Sequence, residues 1–279
     1  MNQNASSQSK SPRALVDTHV HLYDCYDRVQ YFNCAWDNIK RITAMQGLQE
    51  EAHGYLMFAE TVKDHAFKSL IDQGELDDGR WRFREIEEGL SLTASLDGKD
   101  VLTLIAGRQI VTQEGLEVLA LCCSGLFSDG QPIEQSIAEV VQADGLPVLP
   151  YGVGKWRGAR GKVLDRVLYG PHKDKLYLGD NAGRLAMAGE PTQFAQAQKQ
   201  GIWTLHGTDP LPIASQVDRV ARAVTILEGD IDRQAPAASL KQLIEASDKQ
   251  PDAYFRGNGI FSFLKLQATM QVRKRLGKR

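Results

Sequence analysis

The sequence predicts an α/β fold, a (β/α) barrel of seven or eight strands, on three observations. Short apolar runs with strand character recur along the chain, segments of helical period separate them, and His, Asp or Asn residues stand where several of these runs end. Strands alternating with helices point to a parallel sheet, because joining parallel neighbours takes a crossover of about a dozen residues or more. Eight such runs in 279 residues match the length at which a parallel sheet closes on itself. No repeat or low-complexity linker divides the chain, so residues 14–279 are expected to form one domain after a disordered polar tail over 1–13.

The elements follow in order. Ala14-Leu15-Val16 opens a strand over 14–21, and a helix over 37–52 leads to a strand at 54–58 and a helix over 64–73. Runs at 90–94 and 101–105 flank Asp97-Gly98, a pair that accepts the positive φ of a tight turn, so a hairpin is expected to interrupt the alternation. A strand at 117–121, a helix over 133–143, a strand at 148–151 and a helix over 159–168 come next. Strands at 176–179 and 203–206 bracket a helix over 191–200, with Pro191 suited to a first turn and Gly201 to the position past the last. Helices over 215–228 and 261–276 complete the domain, the latter ending in cations that favour a helix carboxyl terminus.

The chemistry begins at the first strand, which ends in Asp17-Thr18-His19-Val20-His21. Side chains at i and i+2 on a strand share a face, so His19 and His21 can offer two imidazoles to one ion. Asp17 shares the face as a ligand or as an orienting partner. Neutral imidazole suits zinc, manganese or iron, and such an ion makes water a nucleophile at neutral pH. Barrel enzymes place their chemistry at the carboxyl ends of strands. There the chain carries Glu117, Asp180-Asn181, and His206 with Asp209, each beside glycine. Glu60, just past the strand at 54–58, is either a further ligand or a solvated helix residue.

The loop Tyr151-Gly152-Val153-Gly154-Lys155-Trp156-Arg157 follows a strand and leads into a helix. Helix-start N–H groups and guanidinium forks both favour anions, and Trp156 is placed to stack on a planar group. With Arg184 as a further contact, the expected substrate is a small anion. Lys plus Arg (33) nearly balance Asp plus Glu (35), so bulk charge makes no case for nucleic acid or a membrane, and neither is expected as a partner. No apolar run nears the roughly 18 residues of a bilayer span. The polar start lacks a signal-peptide core, and Cys25, Cys34, Cys122 and Cys123 fit no disulfide framework. A reduced, cytoplasmic protein is expected.

Asp17-Thr18-His19-Val20-His21 resembles the opening motif of two superfamilies of metal-dependent hydrolases, the amidohydrolases and the PHP family. Residues 104–121, with Gln109 and Glu117, are similar to a PHP segment, as are Ala143-Asp144-Gly145-Leu146-Pro147-Val148-Leu149 and His206-Gly207-Thr208-Asp209. The resemblance implies a TIM-like, PHP-like barrel and a phosphoesterase with one or two divalent ions (zinc, manganese or iron). The ligand set would be His19, His21, Glu117, Asp180 and Asp209. Asp209, as ligand or general base, and His206 would be catalytic, and Lys155, Arg157, Arg184 and Asn181 would hold the substrate. The chain departs from the pattern where Gln109 replaces a bridging glutamate, Leu149-Pro150-Tyr151 replaces Ala-His-Pro, and Asp209-Pro210-Leu211 replaces a closing Asp-x-His. Two alternatives follow: an amidohydrolase-type cleavage of a C–N or lactone bond, and a degenerate barrel that binds a ligand without turnover.

Overall fold

The computed structural model describes residues 12–48, 52–181, 191–255 and Thr269. All of the helix expected over 261–276 except Thr269, most of the tail over 1–13, and Arg184 lie outside the described residues.

β1 (Arg13–Val20) is buried from Ala14 to Val20 because both its faces are covered. Leu15 and Val20 join one core, while Ala14 and Val16 join another that lies between the sheets. Covering both faces of a strand suits the apolar run Ala14-Leu15-Val16, and beyond it Asp17, Thr18 and His19 are buried polar residues. α1 (Arg28–Met45) starts nine residues earlier than its expected span. Asp27 caps it, accepting from the Gln30 N–H at 2.7 Å. Its buried stripe of Tyr31, Phe32, Ala35, Ile39 and Ile42 has the spacing of one helical face.

β2 (Gly54–Phe58) and α2 (Ala66–Gln73) come next, then β3 (Glu75–Leu76), β4 (Trp81–Glu85), β5 (Ser91–Leu96) and β6 (Lys99–Ile105). β5 and β6 form the expected hairpin, with Asp97 and Gly98 at φ 50 and 82. β7 (Gly107–Val111), β8 (Glu117–Leu121), α3 (Ile133–Gln142), β9 (Leu146–Pro150) and α4 (Gly158–Leu168) follow. The described chain continues with β10 (Tyr177–Asn181), α5 (Thr192–Gln198), β11 (Thr204–Gly207), β12 (Val224–Glu228), α6 (Pro236–Glu245) and β13 (Asp252–Tyr254).

The closed barrel expected from the alternation does not form. The strands make two mixed sheets, an eight-stranded one in the order β13-β12-β1-β2-β6-β5-β4-β3 and a five-stranded one in the order β11-β10-β9-β8-β7. A strand has only two hydrogen-bonding edges, and both edges of β1 are taken. β2 pairs with one in parallel, while β12 takes the other antiparallel, from Arg13↔Glu228 to Val16↔Thr225. β12 lies in the stretch expected to be helical. Val224-Thr225-Ile226 is a β-branched run that, with Leu227, is buried on both faces, which periodicity alone does not separate from a buried helix. On the far side β6 takes the free edge of β2, so the chain crosses to the second sheet at Ala106.

Among the described residues, backbone hydrogen bonds join the sheets at two short seams. One is a single parallel bridge between Glu60, just past β2, and Arg108 on β7. At the other, the Asp209 N–H donates to the His19 carbonyl at 2.8 Å, where β11 ends against β1. Val16, Met57, Ile105, Leu119 and Leu205 fill the space between the sheets, and α6 covers it with Leu240 and Ile244. Each such side chain contributes about 1.5–3 kcal/mol by leaving water.

Candidate metal centre

β1 changes its pairing register between Asp17 and Val20, an irregularity of the kind that re-aims side chains at strand ends. Beyond it, His19 and His21 bring their Nε2 atoms to 3.0 Å, and both side chains are buried. The His21 ring stacks on Tyr23, with ring centroids 5.0 Å apart. Burial depresses both imidazoles to a pKa of about 4, so both are neutral at physiological pH with lone pairs available.

Asp209 Oδ1 lies 3.6 Å from each Nε2, and the three residues offer ligand atoms within 4.8 Å of one another. The Asp209 backbone is left-handed, at φ 46, a conformation that Asp adopts more readily than most residues. Its other oxygen, Oδ2, accepts from Asn181 Nδ2 at 2.9 Å, and the same amide donates to the Tyr151 carbonyl at 2.6 Å. Asn181 thus turns Oδ1 toward the histidines. Burial raises the Asp209 pKa above the usual carboxylate range, with the Glu117 charge adding to it and His21 opposing.

Asp17 does not join this group. Its carboxylate accepts from the Thr208 N–H at 2.7 Å, the Ala221 N–H at 2.8 Å, the His19 N–H at 3.3 Å and the Thr208 hydroxyl. Burial lifts its pKa to about 7 against the pull of all four bonds. Asp17 therefore works as an anchor, tying β1 to the turn that carries Asp209. Gly207 makes the approach possible, since a Cβ there would stand 2.4 Å from the His19 nitrogen.

Gln109, at the departure from the PHP pattern, reaches this same centre, with Oε1 3.3 Å from His19 Nε2. Glu117 sits close enough for its charge to act on both imidazoles, but its carboxylate accepts from Lys155 Nζ. It arrives from the beginning of β8, not from a carboxyl end. β8 runs antiparallel to β9, pairing Leu121 with Leu146 and Leu119 with Val148, so its start lies at the end where β9 finishes. Asp180 and His206 lie apart from the group. Successive strand residues face opposite ways, and Asp180 turns from the side of Asn181 to lie 3.8 Å from His206 Nε2, whose ring meets Phe255.

Arg157 is exposed at the start of α4. Trp156 does not face a ligand: it is buried against Tyr151 and Phe194. Glu60 caps α2 through the Phe67 N–H at 2.7 Å and lies 3.9 Å from Arg108, so it is committed to structure. Sequence reasoning missed Tyr23 and the buried Arg219, whose charge bears on Asp209. Two residues beyond His21, Tyr23 continues that strand's spacing, a signal that was there to read, whereas nothing local marks Arg219.

Two neutral nitrogens and one carboxylate form a donor set suited to a borderline divalent ion. Their separations, 3.0–3.6 Å, fit groups that share one ion about 2.0–2.2 Å from each. No helix among the described residues is long and apolar enough to cross a membrane.

No family model matches the chain, and no curated protein matches it. Among solved structures, PsfC from Pseudomonas syringae PB-5123 is similar with a TM-score of 0.55 at 16% identity, covering 95% of this chain and 99% of that one. The lesion-specific endonuclease EndoQ from Pyrococcus furiosus is similar at 0.51 and 13% identity, covering 86% of this chain and 58% of that one. Endonuclease Q in complex with a 27-mer duplex, an abasic lesion at its active site, is similar at 0.50 and 12% identity over the same shares. The chain thus spans little more than half of Endonuclease Q. A neighbour with duplex DNA at its active site overturns the exclusion of nucleic acid drawn from bulk charge. Phosphate affinity depends on where cations are placed, which net charge does not report. At these identities the likeness is one of fold, shared with PsfC and with a lesion-specific endonuclease.

Proposed function

We propose that this protein is a metal-dependent phosphoesterase whose single domain holds one divalent ion, zinc, manganese or iron, on His19, His21 and Asp209. The observation that carries the reading is the convergence of two buried, neutral imidazoles and one half-buried carboxylate at 3.0–3.6 Å. Such an ion supplies Lewis-acid polarisation of a phosphoryl oxygen and acidifies water. The chain's own groups do the rest. Asn181 holds Asp209 in the orientation that faces the histidines. Asp209 Oδ1, 3.6 Å from each imidazole Nε2, is the carboxylate oxygen that would hold the ion. Lys155 and Arg157 meet the anionic oxygens of the substrate, and the Gln109 amide adds a neutral contact beside His19.

The substrate class is a phosphoester, with nucleic-acid phosphodiesters included because Endonuclease Q carries a DNA duplex. The amidohydrolase alternative has no comparable support. Gln109, neutral and a poor ligand, keeps one second reading alive, a centre that binds without turnover. Metal-loaded protein assayed against phosphomonoesters, phosphodiesters and duplexes with and without an abasic site separates the two. Turnover that vanishes in His19→Ala supports the phosphoesterase. Metal binding with no turnover in any arm supports the binder.

A further inference from the structure

Beside the His19–His21–Asp209 group stands a second carboxylate that does not take part in it. The charge of Glu117 acts on both imidazoles and on Asp209, yet among the described residues the cluster able to share an ion contains only those three. Glu117 is held instead by the ammonium of Lys155. The loop is shaped around that lysine. The Lys155 N–H closes a turn on the Gly152 carbonyl at 2.8 Å, and a Cβ on Gly152 would stand 2.5 Å from Lys155 Cδ. Ligating imidazoles are neutral. Asp209, Glu117 and Lys155 then leave one net negative charge, enough for one dication and far short of two.

We propose that the Lys155 ammonium takes the place of a second metal ion: it engages Glu117, keeps the centre at one divalent ion and offers its own charge to the phosphoryl oxygens. The inference rests on the metal-centre reading above and deepens it. Lys155 has a side-chain exposure of 34%, so it can be exchanged with little cost to the fold.

Metal-stripped full-length protein titrated with Mn2+ alone, with bound metal counted by equilibrium dialysis and elemental analysis, tests it. Wild type is expected to bind one equivalent. Lys155→Gln frees Glu117 and gains a second equivalent at least about ten-fold weaker than the first, the scale on which partners of metal ligands act. Lys155→Gln combined with Glu117→Gln returns to one, and Lys155→Arg stays at one. Two equivalents in wild type, or a single one in Lys155→Gln, overturns the inference while leaving the metal centre standing. No bound metal in wild type overturns the centre itself, and this inference with it. Thermal melts check folding, and Gly152→Ala, which displaces the same ammonium, is read by the same count should Lys155→Gln fail to fold.

Discussion

The β1–β11 side of the centre is held by hydrogen bonds among fully buried groups, whereas the loop after β9 meets it through one partly exposed ion pair. On the first side Asp17 accepts from Thr208, Ala221 and His19, the Asp209 N–H bonds the His19 carbonyl, and Gly207 lets the backbones touch. On the second, Lys155 and Glu117 keep side-chain exposures of 34% and 20%, and Arg157 faces solvent. A buried hydrogen bond to a charged group is worth about 1.5–3 kcal/mol, while an exposed ion pair is worth about 0–1. Under the proposed function, the ligand side is the firmly held one and the anion contacts are the adjustable ones, the division expected where one ion must be placed accurately and substrates of differing shape must be admitted.

The most damaging break in the rigid side is loss of an imidazole. His19→Ala and His21→Ala are expected to lower metal affinity more than about 100-fold, beyond the 10–100-fold that supporting residues command. Isothermal titration of folded variants measures it. The same pair sets the pH response. Metal and proton compete for Nε2, and a depressed pKa keeps the nitrogen free to lower pH. Affinity in the wild type is therefore expected to survive acidification past the ordinary histidine value of 6.5 and to collapse only toward about 4. A midpoint at 6.5 would count against the buried geometry.

Gly207→Ala attacks the seam itself. Its Cβ would meet the His19 nitrogen at 2.4 Å and the His19 Cβ at 2.7 Å, so β11 must retreat from β1. A loss of about 3 kcal/mol in unfolding free energy is expected, at the upper end of overpacking costs, and urea unfolding reads it. Asn181→Ala releases Asp209 Oδ2 without touching the histidines. It is expected to weaken metal binding about ten-fold with stability nearly unchanged. The smallest effect belongs to the adjustable side. Arg157→Ala is expected to raise KM about three-fold at constant kcat, since an exposed cation contributes equally to substrate and transition state. A larger effect on kcat than on KM would erase the contrast between the two sides.

Part of the centre was legible because it is local. His19 and His21 stand two apart on one strand, and that spacing holds in any fold that contains the strand. The Asp97-Gly98 hairpin was legible for the same reason, turn chemistry being a property of neighbours. Glu117 is expected at a carboxyl end, but it approaches the imidazoles from the start of an antiparallel strand. Gln109 was singled out as a replaced ligand and lies beside His19. Strand spacing puts Asp17 on the ligand face, but besides the His19 N–H its bonds come from Thr208 and Ala221, 191 and 204 positions away.

The sequence alone determined the alternation of buried strands with amphipathic helices, the imidazole pair and the basic loop, because periodicity, side-chain chemistry and turn preference act over a few residues. Only the tertiary structure decided that the sheet stays open, that of the expected carboxylates it is Asp209 that lies within reach of both imidazoles, and that Lys155 engages Glu117. A strand edge offers the same row of N–H and C=O groups to any partner. Whether β11 or β12 would occupy the edge of β1 was settled by competition among distant segments for burial and hydrogen bonds, which no local pattern records.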